Sequence, residues 1–137
     1  MRVKDFLVKI RHVDMLIDCK CDQLTELRNR LTSISSSLGE RVQLNNDEDK
    51  FATSIANIIE LENEINEDID HLIELKRTAR KAIERLDEDV EKMVLYKRYF
   101  DNKTFEQISV EMNYSWRRIC QIHGNALQNL ERLHIIS

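Results

Sequence analysis

The chain has 137 residues, no proline and only two glycines, Gly39 and Gly124, with 34% charged, 42% hydrophobic and 6% aromatic residues and a net charge of −4. Sandwiches, barrels and phosphate-cradling α/β folds need turn residues that are missing here, so a Rossmann-type or P-loop enzyme is excluded and an all-α chain of long amphipathic helices is expected. No apolar run approaches the ~18 residues that span a bilayer, and no apolar stretch follows Met1-Arg2-Val3-Lys4-Asp5, so a cytosolic protein without a signal peptide is expected.

The first helix is written in its spacing. Phe6, Ile10, Val13, Ile17, Lys20, Leu24, Leu27, Leu31, Ile34 and Leu38 recur at alternating steps of four and three, a coiled-coil seam about 50 Å long at a 1.5 Å rise per residue. Lys20 is its one polar member, either a register device or a side chain that snorkels past its neighbours. Cys19 and Cys21 point about 200° apart on a helix and cannot easily bridge, and Cys120 is remote, so reduced thiols are expected. Ser33, Ser35, Ser36, Ser37 and Gly39 weaken the end of the helix, and the polar stretch from Gly39 to Lys50 is expected to be the turn of a helical hairpin.

The seam resumes at Phe51, Ile55, Ile58, Leu61, Ile65, Ile69, Leu72, Leu75, Ala79, Ile83 and Leu86. Acidic residues fill the first half of this segment and basic residues the second, which suits the helix dipole; Glu74 and Arg77 add a local pair. Such a charge run is expected to be a solvated face. The two long segments are expected to pack as an antiparallel hairpin or to assemble with a second copy.

After Asp87-Glu88-Asp89 the character changes. Six of the eight aromatics lie between Tyr96 and Trp116. Residues 1–91 carry 14 basic and 21 acidic side chains, net −7, whereas 92–137 carry 7 and 4, net +3, plus His123 and His134. The expected division is a helical hairpin over 1–86 and a compact head with its own aromatic core over 87–137.

Three helices are predicted in the head. The first covers about 87–100, with Val90, Met93, Val94 and Lys97 on one face, and Asp101-Asn102-Lys103 is a turn. The second runs from Thr104 to Met112: Thr104 and Gln107 form a capping box, and Phe105, Ile108 and Met112 an apolar stripe. Asn113 occupies a sharp turn, because asparagine tolerates left-handed backbone. Ser115 caps a third helix over 116–133, whose stripe is Ile119, Ile122, Ala126, Leu130 and Leu133. Short helix, three-residue turn and longer helix make a helix-turn-helix.

The polar face of the third helix presents Trp116, Arg117, Cys120, Gln121, Gly124 and Gln128. Arginine suits guanine and glutamine suits adenine in the major groove, and base-reading residues sit near the N-terminus of such a helix. Lys103 and Arg118 flank the face within reach of phosphates, as do the N–H groups that follow Thr104. Trp116 is either a base contact or a core residue stacked on Tyr114 or Phe105. Gly124 allows close approach of DNA or of a neighbouring helix. Cys120 is expected to be a small neutral side chain. The expected DNA-binding set is Lys103, Thr104, Ser115, Trp116, Arg117, Arg118, Cys120, Gln121, Gly124 and Asn125. The histidines show no metal-ligand spacing, so no metal and no cofactor is expected. No catalytic pairing of Ser, Cys or His with a carboxylate appears, and the chain is not expected to be an enzyme.

A run of motifs carries a family resemblance: Tyr99-Phe100, then Thr104-Phe105-Glu106-Gln107-Ile108-Ser109, then Met112-Asn113-Tyr114-Ser115, then Arg118-Ile119-Cys120-Gln121-Ile122-His123-Gly124-Asn125-Ala126-Leu127. It resembles region 4 of sigma-70-type factors, whose pattern reads T-L-E-E-I-A, L-G-V-S and R-V-R-Q-I-E-x-x-A-L. The likeness extends over about residues 90–133 without a gap. With the acidic helices before it, the chain is similar to the small sigma-region-4-like regulators of Gram-positive phages and prophages, of the ArpU and RinA late-gene activator kind. The resemblance implies a third helix that reads an element like the −35 hexamer. Gln121 is retained, whereas Trp116, Arg117 and Cys120 stand where the pattern has arginine, glutamate and arginine, which implies a different operator. Nothing in the chain resembles sigma region 2.

The expected function is a sequence-specific DNA-binding regulator of phage or prophage transcription. Its expected partners are double-stranded DNA, RNA polymerase and a second copy of itself, a dimer before other oligomers, and no membrane. A small-terminase-like packaging protein and an adaptor that grips polymerase without touching DNA are the alternatives.

Overall fold

The computed structural model describes the backbone of residues 2–40 and 45–133 and the side chains of residues 2–34 and 48–133. Within these residues every regular element is a helix: α1 (Val3–Glu40), α2 (Asn45–Ile83), α3 (Asp89–Leu95) continuing into a π-helical turn (Tyr96–Phe100), α4 (Phe105–Met112) and α5 (Trp116–Leu133). No helix among the described residues is long and apolar enough to cross a membrane. The backbone is helical to Glu40 and again from Asn45, so Gly39, Glu40 and Asn45 to Lys50 of the expected turn are helical instead; residues 41–44 and His134 lie outside the described residues.

The chain packs as two compact units, one of Met1–Asp14 with Leu72–Ser137 and one of Met15–His71. The packing therefore divides elsewhere than between residues 86 and 87. The first turns of α1 and the last turns of α2 belong with the C-terminal helices.

In the unit Met15–His71 the two long helices run antiparallel. Lys20 Nζ lies 2.8 Å from Glu64 Oε1 and also pairs with Asp68, and Arg28 Nη2 lies 2.6 Å from Glu62 Oε1. Partners fall in number on α2 as they rise on α1. Ile17, Ile58 and Ile65 are buried along the seam, and Leu24, Leu27, Leu31, Ile34, Phe51, Ile55 and Leu61 are half-buried. Ile69 departs from the expected stripe and is 38% exposed. Lys20 does not simply snorkel outward. Its ammonium stays in the seam because two carboxylates neutralise it there, and hydrogen bonds to Asp68 and then Glu64 hold its pKa above the usual lysine range.

The other unit has a sealed aliphatic centre. Val94, Ile108, Ile119 and Ile122 are buried together, with Val90, Phe105 and Met112 packed against them. The expected aromatic core is corrected by this arrangement. Of the head's aromatics only Tyr99 is buried; Tyr114 and Trp116 are exposed. Branched aliphatic side chains fill the narrow space between short helices, and the rings, larger and in part polar, pack around its margin. Val3, Leu7 and Ile10 of α1 and Ala79, Ala82, Ile83 and Leu86 of α2 are buried in the same unit. Phe6, expected to open the seam, is only half-buried; the inward stripe at this end is Val3, Leu7 and Ile10.

The first head helix also differs from expectation. It starts at Asp89, and its last turn widens to a π-helix whose Asp101 N–H bonds to Tyr96 O at 3.1 Å. The widening affects only the side chains from Tyr96 onward, and the inward face before it is set within α3. Glu91, Val94, Leu95 and Tyr99 face inward, and Met93, expected on the inner face, is 43% exposed. The buried Glu91 carboxylate is held by Asn129 of α5, whose Nδ2 donates to both oxygens at 2.9 and 3.0 Å.

Candidate nucleic-acid interface

The local sequence builds the helix-turn-helix from its caps. Thr104 Oγ1 accepts the Gln107 N–H at 3.2 Å and Gln107 Oε1 accepts the Thr104 N–H at 2.9 Å, so the expected capping box is present. Asn113 ends α4 in left-handed backbone, φ 58° and ψ 37°. Ser115 Oγ accepts the Arg118 N–H at 3.1 Å and starts α5. Asn102 is a second left-handed asparagine, φ 58°, in the turn before α4. Its Nδ2 donates to Asp14 Oδ2 of α1 at 2.6 Å.

Burial of Ile119, Ile122, Ala126 and Leu130 fixes which way α5 faces, while Leu133 at the end of the stripe is 36% exposed. Arg117, Gln121, Gly124 and Gln128 all lie on the exposed side, at steps of four, three and four that place them in one row. A Cβ built on Gly124 would meet nothing within 4 Å. The neighbouring-helix explanation of this glycine therefore finds no support among the described residues, and the helix surface at Gly124 is open there.

The other expected site residues divide around this row. Arg118 and Asn125 are exposed and line a shallow pocket with Tyr114, Glu88, Val90 and Glu91. Trp116 is 54% exposed and makes no ring contact among the described residues, which removes the core alternative. Cys120 is half-buried on the opposite flank. Thr104 and Ser115 are engaged as caps. Lys103 is not free for phosphate: Glu111 Oε1 holds its Nζ at 2.6 Å and also binds Lys97 Nζ through Oε2 at 3.1 Å.

Two residues beside the row were not singled out by spacing. The Arg98 guanidinium lies over the Phe105 ring, 4.3 Å from its centre, and Nη1 donates to Lys103 O at 3.1 Å. This sets a cation at the start of α4. His123 packs edge-on against Phe105 with ring centres 5.0 Å apart, and its Nε2 is 2.7 Å from Tyr99 Oη, a hydrogen bond. Burial, followed by the charges of Arg98 and Lys4, pushes its pKa down to about 4, so the imidazole is neutral at pH 7. The cluster Tyr96-Lys97-Arg98-Tyr99-Phe100 was the only sequence hint of Arg98, because cation–aromatic stacking favours arginine among rings.

Residues 82–132 match the family described as Sigma-70, region 4, a helix-turn-helix DNA-binding module. The matched segment begins at the end of α2 and closes within the last turn of α5. It is similar to that region over the part of the chain that carries the exposed row of α5. No curated protein and no solved structure matches the chain.

Proposed function

We propose that the protein is a sequence-specific DNA-binding regulator of phage or prophage transcription that reads the major groove with α5. The observation that carries this is the open row Arg117, Gln121 and Gly124, with no atom within 4 Å of the space above Gly124, on a helix inside a segment similar to sigma region 4. Arg117 contacts guanine, Gln121 adenine, and Trp116, exposed at the first turn, packs against a base or sugar. Arg118, Asn125 and the N–H groups behind Thr104 and Ser115 contact the backbone. The −35 pattern is changed at Trp116, Arg117 and Cys120, so the operator is a dedicated one.

A single head makes few phosphate contacts, so two heads on one duplex raise the affinity. The seams of α1 and α2 pair inside the chain through Lys20 and Arg28, so a second copy or RNA polymerase uses the outer faces of these helices.

A gel-shift titration on upstream phage DNA tests the assignment. The doubly substituted Arg117→Ala/Gln121→Ala protein loses discrimination between the preferred and a scrambled duplex, by about 1–3 kcal/mol for each lost base contact. Equal discrimination by both proteins removes base reading by α5. Polymerase capture without any duplex binding replaces the proposal with the adaptor. A ring of eight or more subunits in light scattering replaces it with DNA packaging.

A further inference from the structure

The unit that carries α5 neutralises most of its inward-leaning cations. Glu111 takes Lys97 and Lys103, and Glu84 and Asp89 lie 3.8 Å from Lys92. Two arginines escape this pattern. Arg98 and Arg11 are both half-buried, and neither has a carboxylate partner among the described residues. Arg11 Nε is buried with no hydrogen-bond partner at all. Asp14, one turn beyond Arg11, accepts from Asn102, and Glu106 acts on Arg98 through its charge without forming an ion pair.

The Arg11 charge also acts on Arg98. The Arg98 pKa is lowered from its ordinary value by burial first and by the Arg11 charge second. Lys4, two turns before Arg11 on α1, adds its charge to that of Arg98 at His123. Two like charges, partly desolvated and offset only by Glu106 acting on Arg98 without an ion pair, weaken the folded chain unless an anion joins them. Their position is defined by the Phe105 ring beneath Arg98 and by the Lys103 carbonyl, immediately beside the N-terminus of α4. Guanidinium pairs suit phosphate oxygens, because each presents a planar fork of donors.

We propose that Arg11 and Arg98 together hold one backbone phosphate of bound DNA, so that α1 forms part of the DNA interface. The site rests on the proposed function above, but Arg11 lies outside the segment that matches sigma region 4. It assigns the first turns of α1 two tasks, closing the apolar core with Val3, Leu7 and Ile10 and contributing a cation on the outside. It also supplies the phosphate contact that Lys103, bound to Glu111, does not.

The test is the salt dependence of binding to a short duplex of random sequence, measured by fluorescence anisotropy on the full chain. Arg11→Met lowers the slope of log affinity against log salt by about 0.9, the value of one lost phosphate contact. Affinity falls by the same factor on preferred and scrambled duplexes. The thermal midpoint stays the same or rises, since a repulsion is removed. Arg11→Lys keeps the slope, and Arg28→Gln, a surface change in the other unit, leaves it untouched. An unchanged slope in Arg11→Met overturns the phosphate site and leaves base reading by α5 standing. Loss of slope in both Arg11→Met and Arg11→Lys, with a lowered thermal midpoint, also overturns it, because Arg11 is then a structural residue. Absence of wild-type binding to any duplex at low salt overturns the proposed function and this site together.

Discussion

Met1–Asp14 with Leu72–Ser137 holds 16 basic and 12 acidic side chains, net +4, and Met15–His71 holds 5 and 13, net −8. The division made by packing thus separates charge more sharply than a cut in the sequence at residue 91. The interiors differ in the same sense. The first unit has fully buried aliphatic residues such as Leu7, Ile108 and Ile119; the second has a half-buried seam crossed by the Lys20 and Arg28 ion pairs. Two ways of holding helices together occur within the same two long helices. A body with three-dimensional packing can hold a reading helix at a fixed angle, whereas a two-helix seam has only one contact line. The acidic surface of the second unit repels phosphate, which on the proposed function leaves DNA to the first.

Substitutions can break or sharpen this contrast. The largest effect is expected at the aliphatic centre: Ile119→Ala, at a site with no exposure, costs about 2–5 kcal/mol. Leu27→Ala, half-buried in the seam, costs less than half as much. Equal losses in urea titrations would erase the distinction between the two interiors. Next comes the turn of the helix-turn-helix. Asn113→Ala forces an alanine to φ 58° and costs about 1–2 kcal/mol, while Asn113→Gly costs little. A thermal midpoint lowered equally by both would mean that the side chain, not the backbone, matters at Asn113.

The third effect depends on pH and belongs to the first unit alone. His123 has a folded pKa of about 4 against 6.5 in the unfolded chain. As pH falls below 6.5 the unfolded chain takes up the proton first, so stability is full above 6.5 and declines between 6.5 and 4. His123→Gln flattens this part of the thermal-midpoint profile; an unaltered decline would assign it to other groups. The smallest effect is expected at Lys20→Met. Replacing a paired ammonium by an apolar side chain of similar length leaves stability near its starting value at neutral pH, and it removes the salt dependence that the Glu64 and Asp68 pairs confer. A large loss in calorimetry would make the seam as dependent on one residue as the aliphatic centre is.

The two units were not equally legible. The seam could be read from spacing because each position meets the same kind of partner along the hairpin. The caps Thr104, Gln107, Asn113 and Ser115 were legible because capping is a local contest for backbone groups, decided within four residues. The seam fails near the N-terminus, where the partner changes: Val3 and Leu7 turn toward the head, and nothing in a local pattern announces a contact 128 residues away. The inner face of the first head helix was only partly legible: Val94 is buried as the spacing implies, whereas Met93 before the π-turn is exposed and Tyr99 within it is buried. Arg98 and Arg11 carry no spacing in the sequence that sets them apart. Their distinction is the carboxylates they lack, and this is visible only when Glu111 and Asp14 are seen with other partners. The row Arg117, Gln121 and Gly124 was readable in full, because the stripe opposite it is regular from Ile119 to Leu130.

The Val3 N–H bond to Glu131 Oε1 has a consequence during synthesis. Val3 leaves the ribosome well before its partner is made. The antiparallel helices between them can pair while translation continues, since their contacts lie closer along the chain. The first turn of α1 meanwhile lacks the Glu131 partner of Val3 until α5 emerges. Contacts of such long range form late. A nascent chain halted within α4 therefore carries the acidic hairpin sequence and an unfinished first unit, without the helix to which the proposed function assigns DNA reading. The unit forms only when translation has passed α5.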